Sequence, residues 1–123
     1  YWADGLLVAT SSGSTAYNLS AGGPICTPGA GVFGVSPIAP HNLNLRPLVI
    51  PDDSTVTLSV RSRQSTVMLS ADNVHLPLSP DTGITVFRSP MRLKMARFGK
   101  SDFIEALRSR LFWGEDVRNT SDR

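Results

Sequence analysis

The sequence predicts a mainly β fold: an antiparallel β-sandwich-like domain with a short helix after the first strand and a C-terminal helix. Residues 55–61 alternate apolar and polar side chains with period two, which is typical of a half-buried strand. Phe103, Leu107 and Leu111 form one apolar stripe at helical spacing near the carboxyl end. Further strand-like segments follow residue 61 at short intervals, separated by turn residues, at 65–71, 74–78, 83–89 and 93–98.

The first strand is predicted at residues 6–10, an apolar run between Asp4-Gly5 and a cluster of serines and glycine. Ser14 or Thr15 is expected to cap a helix over residues 16–21, because their hydroxyls can accept from free amides at a helix start. Gly22-Gly23-Pro24 is expected to end that helix within two turns. The expected local structure is a strand, a hydroxyl-rich loop and a short helix.

Residues 24–51 are rich in proline and contain one strand-like run at 32–36. Proline cannot donate to a sheet ladder, so the rest of this region is predicted to be extended connections around a single strand. Apolar residues continue throughout the region, which excludes a flexible linker.

Residues 1–123 are predicted to be a single domain with its own core, ending in a helix that begins at Ser101-Asp102 and stops at Gly114. The polar residues 115–123 are expected to be a flexible tail. The chain is 41% hydrophobic and 18% charged, which is an ordinary globular composition. At this length about two-thirds of the unfolded surface should become buried without metal or disulfide staples.

Charge and cysteine content exclude several classes of protein. The net charge is only +2, and the basic residues form no run, so we expect no nucleic-acid partner. Cys26 is the single cysteine, which excludes an intramolecular disulfide. No apolar stretch approaches the roughly 20 residues of a spanning helix, so we expect no membrane partner and a cytoplasmic protein.

Residues 10–23 carry the strongest sign of a binding site. Small residues let a ligand approach the backbone, amides at the helix start could donate to it, and the ring of Tyr17 offers a face on which a base could stack. The segment has no P-loop lysine and no G-x-G-x-x-G pattern. From the residues alone, a tightly packed turn with Tyr17 in the core is equally well supported.

Other kinds of site are not supported by residue spacing. The two histidines and Cys26 are dispersed, so a zinc site held by the protein is not expected. No G-x-S-x-G pattern is present, and neither the serine-rich loop nor Cys26 has a neighbouring histidine for nucleophilic catalysis. We interpret Asn18-Leu19-Ser20 as a chance match to the glycosylation pattern.

Residues 4–25, DGLLVATSSGSTAYNLSAGGPI, resemble the D-G-[LIV]₃-[ST]-T-x-[ST]-G-S-T-A-Y-x-[LK]-S-x-G-G-P segment of the NAD kinase family. The runs PIAPHNL at 37–43 and RPLVIP at 46–51 resemble the family's next stretch in the same order. SAD at 70–72 matches a later landmark, and residues 103–118 resemble its terminal helix with the W-G-x-D tail. The resemblance covers nearly the whole chain.

The resemblance implies transfer of the ATP γ-phosphoryl group to the adenosine ribose 2′-hydroxyl of NAD, with Mg²⁺ as the divalent metal. Family members begin with an α/β domain whose G-G-D-G loop carries the catalytic base, and that loop is absent from these residues. We therefore expect a fragment that supplies the NAD-binding and oligomerisation domain, holds no catalytic residue and is inactive alone. Related enzymes form homodimers or homotetramers, which predicts exposed apolar surface.

Matching positions imply the site residues. Asp4 corresponds to an acid that contacts the ribose or nicotinamide end of NAD, and Asp72 to an acid of an Asp-Gly turn near the dinucleotide, although Asn73 stands here where glycine is usual. Asn73 tolerates a left-handed backbone, so the turn is expected to survive. Gly13 and Ser14 are expected to shape the turn. The adenine and ribose contacts are expected from Thr15, Ala16, Tyr17 and Ser20.

Two further interpretations stay open. His41 is read as a structural hydrogen-bonding residue that braces two chain segments rather than as a base or a ligand. Besides an NAD kinase, the chain could be a non-catalytic nucleotide-binding module or part of a related lipid or diacylglycerol kinase. The G-S-T-A-Y-x-x-S-x-G-G-P string argues against the lipid kinase. The sequence does not decide between NAD and NADH, or between ATP and polyphosphate.

Overall fold

The computed structural model describes residues 1–96, 98, 99 and 102–114. Seven strands, one 3-10 helix (Ser12–Thr15) and two α-helices form in this part of the chain. The strands are β1 (Gly5–Thr10), β2 (Val32–Ile38), β3 (Leu48–Pro51), β4 (Val56–Leu58), β5 (Val67–Ala71), β6 (Val74–Leu78) and β7 (Ile84–Val86). The helices are α1 (Tyr17–Ser20) and α2 (Phe103–Leu111).

All strand pairs are antiparallel, which confirms the mainly β class expected from the sequence. The strands fall into three small sheets, ordered β1-β2-β3, β4-β7 and β5-β6. In the first sheet, β1 pairs with β2 from Gly5↔Ile38 to Thr10↔Phe33. β3 pairs with the other edge of β2, so β2 is the central strand.

The two faces of the β1-β2-β3 sheet differ in side-chain size. Directly paired residues share a face, so the pairs Ala9↔Gly34 and Leu7↔Ser36 lie on one side of the sheet. That face is lined by small residues at Ala9, Gly34 and Ser36. Phe33 and Val35 alternate to the opposite, apolar face. The small-residue face leaves room for the loop that follows β1.

Two sequence expectations in the strands were wrong. The proline-rich region forms a second strand, β3, because it lies at a sheet edge, where a residue without an amide hydrogen, such as Pro51, is tolerated. A strand was expected at 93–98, yet the described residues 91–96, 98 and 99 form none. Leu93 and Phe98 are 91% and 97% exposed, so these apolar side chains do not pack against any described strand.

The C-terminal helix begins where the sequence predicts. The Asp102 carboxylate caps α2 by accepting a hydrogen bond from the Ile104 amide at 3.0 Å. Within the apolar stripe, Leu107 is buried whereas Leu111 is exposed. α2 ends at Leu111, followed by Phe112 in the left-handed conformation. The predicted tail at 115–123 lies outside the described residues, and so does Ser101.

The chain buries less surface than its length predicts. Its accessible surface is 10,226 Å², against about 6,400 Å² for a compact monomer of this mass. About half of the unfolded surface is therefore buried rather than two-thirds. Within the described part of the chain, the buried apolar residues are Ala9, Phe33, Val35 and Leu107. The central strand β2 is buried on both faces, whereas β5 and β6 are largely exposed.

Candidate functional site

The loop that follows β1 is held by its own backbone and hydroxyl groups. We call residues 10–23 the small-residue loop. The Thr10 hydroxyl accepts from the Gly13 amide at 3.1 Å, and the Ala16 amide donates to the Gly13 carbonyl at 3.1 Å. The Ser14 amide donates to the Ser11 carbonyl at 3.3 Å. These bonds close the 3-10 turn before α1 starts. They also occupy several of the amides that the sequence offered as donors to a ligand.

Ser14 has a structural role that differs from the expected helix cap. The residue before α1 is Ala16, and no side chain caps this helix. Ser14 is 2% exposed, donates to the Ser11 carbonyl at 2.7 Å and accepts from the Cys26 amide at 2.9 Å. The 3-10 turn places this hydroxyl inward, where it joins the loop to the segment after α1. The cap prediction for Ser14 or Thr15 was therefore wrong.

Asn18 lies at the centre of the small-residue loop and is 1% exposed. Its amide nitrogen donates to the Pro24 carbonyl at 3.1 Å and to the Ser14 carbonyl at 3.3 Å. Its amide oxygen accepts from the Ser36 hydroxyl at 2.7 Å. The side chain therefore links both sides of α1 to strand β2. Its burial agrees with the interpretation of Asn18-Leu19-Ser20 as a chance glycosylation pattern.

Sequence reasoning gave Asn18 no role in the site. Three features could have indicated that Asn18 is buried. Asn18 has a short amide side chain and lies in a four-residue helix that Gly-Gly follows. The later strand β2 carries the small residues Gly34 and Ser36 on one face. Gly23 is buried, and a Cβ there would overlap the Asn18 side-chain amide. Glycine at 23 is thus needed for close approach, and Gly22 turns the chain with φ +79°. Both glycines end α1 as predicted.

Tyr17 is 59% exposed, which excludes the alternative that its ring lies in the core. Ala16 and Ser20 are also exposed, while Gly13 and Thr15 are half-buried. The loop therefore presents an aromatic ring and a hydroxyl on a backbone held from beneath by Ser14 and Asn18. Such a surface can stack a planar ring and hydrogen-bond a polar edge.

Asp4 lies at the opposite end of β1 from the small-residue loop. A six-residue strand separates the two places by about 20 Å. The Asp4 carboxylate is exposed and lies 3.4 Å from His41 Nε2. The His41 amide donates to the Trp2 carbonyl at 2.9 Å. The centroids of the His41 and Trp2 side-chain rings lie 5.6 Å apart. His41 thus joins the proline-rich region to the amino-terminal segment, in agreement with its reading as a brace.

Asp72 forms the turn of the β5–β6 hairpin, where Ala71 pairs with Val74. The turn survives, as expected, but Asp72 takes the left-handed conformation with φ +51° instead of Asn73. Asp tolerates this region better than most residues because its short polar side chain can hydrogen-bond locally. The main contacts of the hairpin lie between its own two strands. Among the described elements, the two hairpin strands make no substantial packing contact with the helices of the small-residue loop.

The described residues do not fit a metal ion held by the protein. No three side chains among His, Cys, Asp and Glu come together in this part of the chain. Cys26 is a free thiol that is half-buried. In addition, none of the described helices has the length and apolar character needed to cross a bilayer.

Comparison with known proteins matches the sequence of this chain to one family. The family model described as the ATP-NAD kinase C-terminal domain matches residues 1–98. An NAD kinase of Flavobacterium psychrophilum is 44% identical over 97% of this chain and 40% of its own length. An NAD kinase of Porphyromonas gingivalis is 50% identical over 96% of this chain and 41% of its own length.

The fold agrees with the sequence comparison. The crystal structure of yeast NADH kinase complexed with NADH matches 96% of this chain and 38% of its own chain, with a TM-score of 0.81 and 28% identity. This chain spans about 40% of the length of the relatives it matches. Because the family model covers most of the chain, the resemblance found in the sequence is confirmed, and the chain belongs to the ATP-NAD kinase C-terminal domain family.

Proposed function

We propose that the protein containing this chain transfers the γ-phosphoryl group of ATP to the adenosine ribose 2′-hydroxyl of NAD, giving NADP. Relatives that are 44% and 50% identical over nearly the whole chain are NAD kinases. The structural neighbour at TM-score 0.81 has NADH bound. The observation that carries the proposal is the exposed ring of Tyr17 on the small-residue loop.

In this proposal the chain binds and orients the dinucleotide. The ring of Tyr17 stacks on the adenine, and the hydroxyls of Thr15 and Ser20 contact the adenine or its ribose. Ala16 is an exposed residue whose small side chain lets a ligand approach the loop closely. Gly13 and Ser14 set the shape of the turn, as their hydrogen bonds support.

The second part of the proposed surface is acidic. The Asp4 carboxylate accepts hydrogen bonds from the ribose or from the nicotinamide end, at the far end of β1. Asp72 is proposed to approach the dinucleotide from the β5–β6 hairpin. This hairpin makes its main contacts within itself, and we propose that a further domain or a second subunit brings Asp72 to the dinucleotide.

The phosphoryl transfer itself is proposed to use groups outside the described residues. Such transfers depend on positioning and on neutralisation of phosphate charge. The described residues form no metal cluster, so we assign them no metal ligand and propose that Mg²⁺ enters with ATP. We propose that an α/β domain with a G-G-D-G loop supplies the catalytic base, so that this chain alone makes no NADP.

We further propose that the complete protein is a homodimer or homotetramer in the cytoplasm. Support for assembly comes from the exposed apolar side chains on the hairpin, such as Met68 and Val74, which are 63% and 57% exposed. The cytoplasmic assignment is supported by the single, unpaired Cys26.

The test is NADP formation by the complete protein with Tyr17→Ala, Tyr17→Phe and Asp4→Asn. Because Tyr17 is exposed, its loss should leave folding unchanged and raise the KM for NAD about tenfold, equivalent to about 1.4 kcal/mol of lost binding. Tyr17→Phe keeps the aromatic ring, so its KM for NAD should stay near that of the parent protein. Thr57→Ala, an exposed position on β4, is the matched control. Unchanged turnover and KM in both Tyr17→Ala and Asp4→Asn would remove the site assignment.

The same assay separates the alternative functions. A non-catalytic module would bind NAD without producing NADP. A lipid kinase would phosphorylate diacylglycerol and leave NAD unchanged. Parallel reactions with NAD, NADH and diacylglycerol as acceptors, and with ATP or polyphosphate as donor, therefore identify the reaction as well as the site.

A further inference from the structure

We propose that Asn18, held by Ser36, is a positioning residue that fixes the dinucleotide-contacting loop without touching the dinucleotide. This inference rests on the proposed function, because it assigns the loop to NAD. Asn18 is 1% exposed and Ser36 is 0% exposed, so neither side chain can reach a ligand on the surface. Their effect on binding must pass through the backbone that carries Tyr17.

The hydrogen bonds of Asn18 join the segments before and after helix α1, which is too short to fix their positions by itself. An isolated helix of this length is unstable in water. The Asn18 amide nitrogen donates to the carbonyls of Ser14 and Pro24, which lie before and after α1. One side chain therefore closes the loop across the helix, directly beside Tyr17.

The amide oxygen fixes the closed loop to the sheet. It accepts from the Ser36 hydroxyl at 2.7 Å, and Ser36 belongs to the central strand β2. Gly34 lies on the same face of that strand, and a Cβ there would come within 3.5 Å of the Asn18 amide oxygen. Gly23 closes the other side, where a Cβ would overlap the amide. Asn18 thus occupies a socket with a matched partner for each polar atom.

This arrangement is suited to preorganisation. A buried amide whose donors and acceptor are all bonded is costly to displace, because displacement leaves unpaired polar groups out of water. The loop is therefore held in one conformation before the ligand arrives. Ordering a loop during binding would reduce affinity, whereas a loop already ordered avoids that cost.

The test compares Ser36→Ala with Val35→Ala in the complete protein. Ser36→Ala removes the hydroxyl that donates to Asn18 and leaves the Asn18 side chain in place. Val35→Ala is the matched control, since it lies on the same strand, is also buried and faces the opposite side of the sheet. Measurements are the KM for NAD, the KM for ATP, kcat and hydrogen exchange of the amides at 13–23.

We expect Ser36→Ala to raise the KM for NAD about fivefold, with kcat and the KM for ATP within twofold of the parent. Hydrogen exchange over residues 13–23 should become faster. Val35→Ala should lower the melting temperature through lost packing and change the KM for NAD less than twofold. Asn18→Ala, which removes all three hydrogen bonds, should give a larger rise in the same KM.

Each contrary outcome is distinct. Equal rises in the KM for NAD in Ser36→Ala and Val35→Ala would mean that general stability, not positioning, sets the affinity. Unchanged exchange at 13–23 in Ser36→Ala would mean that the hydroxyl does not hold the loop. If Asn18→Ala fails to fold, Ser36→Ala and Val35→Ala still give the comparison. If the parent protein makes no NADP and binds no NAD, the proposed function fails and the positioning role fails with it, while the exchange data still report whether Asn18 braces the loop.

Discussion

Gly23 shows how strongly one residue can be constrained by its neighbour. A methyl group there would overlap the Asn18 amide, and the Gly23 amide also donates to the Asn18 carbonyl at 2.8 Å. We expect Gly23→Ala to lower the free energy of unfolding by about 1–3 kcal/mol, because the added carbon must displace a fully hydrogen-bonded side chain. Denaturant unfolding measures this loss. Gly83→Ala is the control, since open space surrounds that position.

The cause of that loss can be tested in a double-mutant cycle. Asn18→Ala removes the group that the new methyl would strike. The combined variant should therefore lose less stability than the sum of the two single losses, by about 0.5–3 kcal/mol. Strict additivity would show that Gly23 is needed for a reason other than the Asn18 side chain.

At the scale of residues, the sequence identifies the small-residue loop better than it identifies the buried residues that hold this loop. The small residues and Tyr17 identify the loop because their sizes and shapes are local properties. The role of Asn18 depends on Ser36, which is 18 residues away on a different strand. Asp72 illustrates the same limit, because the left-handed residue of its turn depends on the strand register rather than on the choice between Asn73 and glycine.

At the scale of elements, helix α2 depends on its cap. Asp102 accepts from the Ile104 amide, and basic residues at Arg108 and Arg110 lie in the last turn, where they complement the helix dipole. We expect Asp102→Ala to destabilise the helix by about 1 kcal/mol, because an orphan amide loses its acceptor. The change should appear as reduced helical circular dichroism and faster hydrogen exchange over residues 103–107.

A matched substitution at the other end of the same helix distinguishes capping from general loss of a polar side chain. The Ser109 hydroxyl reaches the Ala106 carbonyl only at 3.5 Å. The stability of helix α2 in Ser109→Ala should therefore stay within about 0.5 kcal/mol of that in the parent protein. A similar loss in both variants would argue against a capping role for Asp102.

The elements predicted with most success are those whose own residues show a periodic pattern of apolar side chains. Period two identifies β4, and helical spacing with a preceding acid identifies α2. β3 was missed because prolines at 47 and 51 argue against a strand, although an edge position tolerates them. The prediction of a strand at 93–98 was wrong. Alternating apolar and polar side chains are compatible with a strand, but they do not show whether a partner strand lies beside it.

At the scale of the whole molecule, strand partners are the least predictable feature. β4 pairs with β7 across more than 25 residues, whereas β5 and β6 form the intervening hairpin. The sequence indicated antiparallel strands and their turns, yet it could not assign them to three sheets. The exposed residues of the β5–β6 hairpin contribute to the large accessible surface of the chain.

That surface leads to an expectation about association. Among the described residues, many large apolar side chains are exposed, and exposed apolar surface is typical of a region that another surface covers. On one face of the β5–β6 hairpin, Val74 and Leu76 are 57% and 47% exposed. Burying these side chains against a second apolar surface would contribute about 25 cal/mol per Å². We therefore expect the chain on its own to associate as its concentration rises.

Sedimentation and light scattering across a concentration series measure this association. Leu76→Lys places a charge on this face of the hairpin and should shift the distribution toward the monomer, because a charge buried in an apolar interface is costly. Thr57→Lys adds the same charge at an exposed polar position of β4 and should leave the distribution unchanged. A monomer at every concentration, with no dye-binding apolar surface, would show that the exposed faces close against one another in solution. If both lysine variants dissociate the assembly equally, net charge rather than the hairpin surface drives the effect.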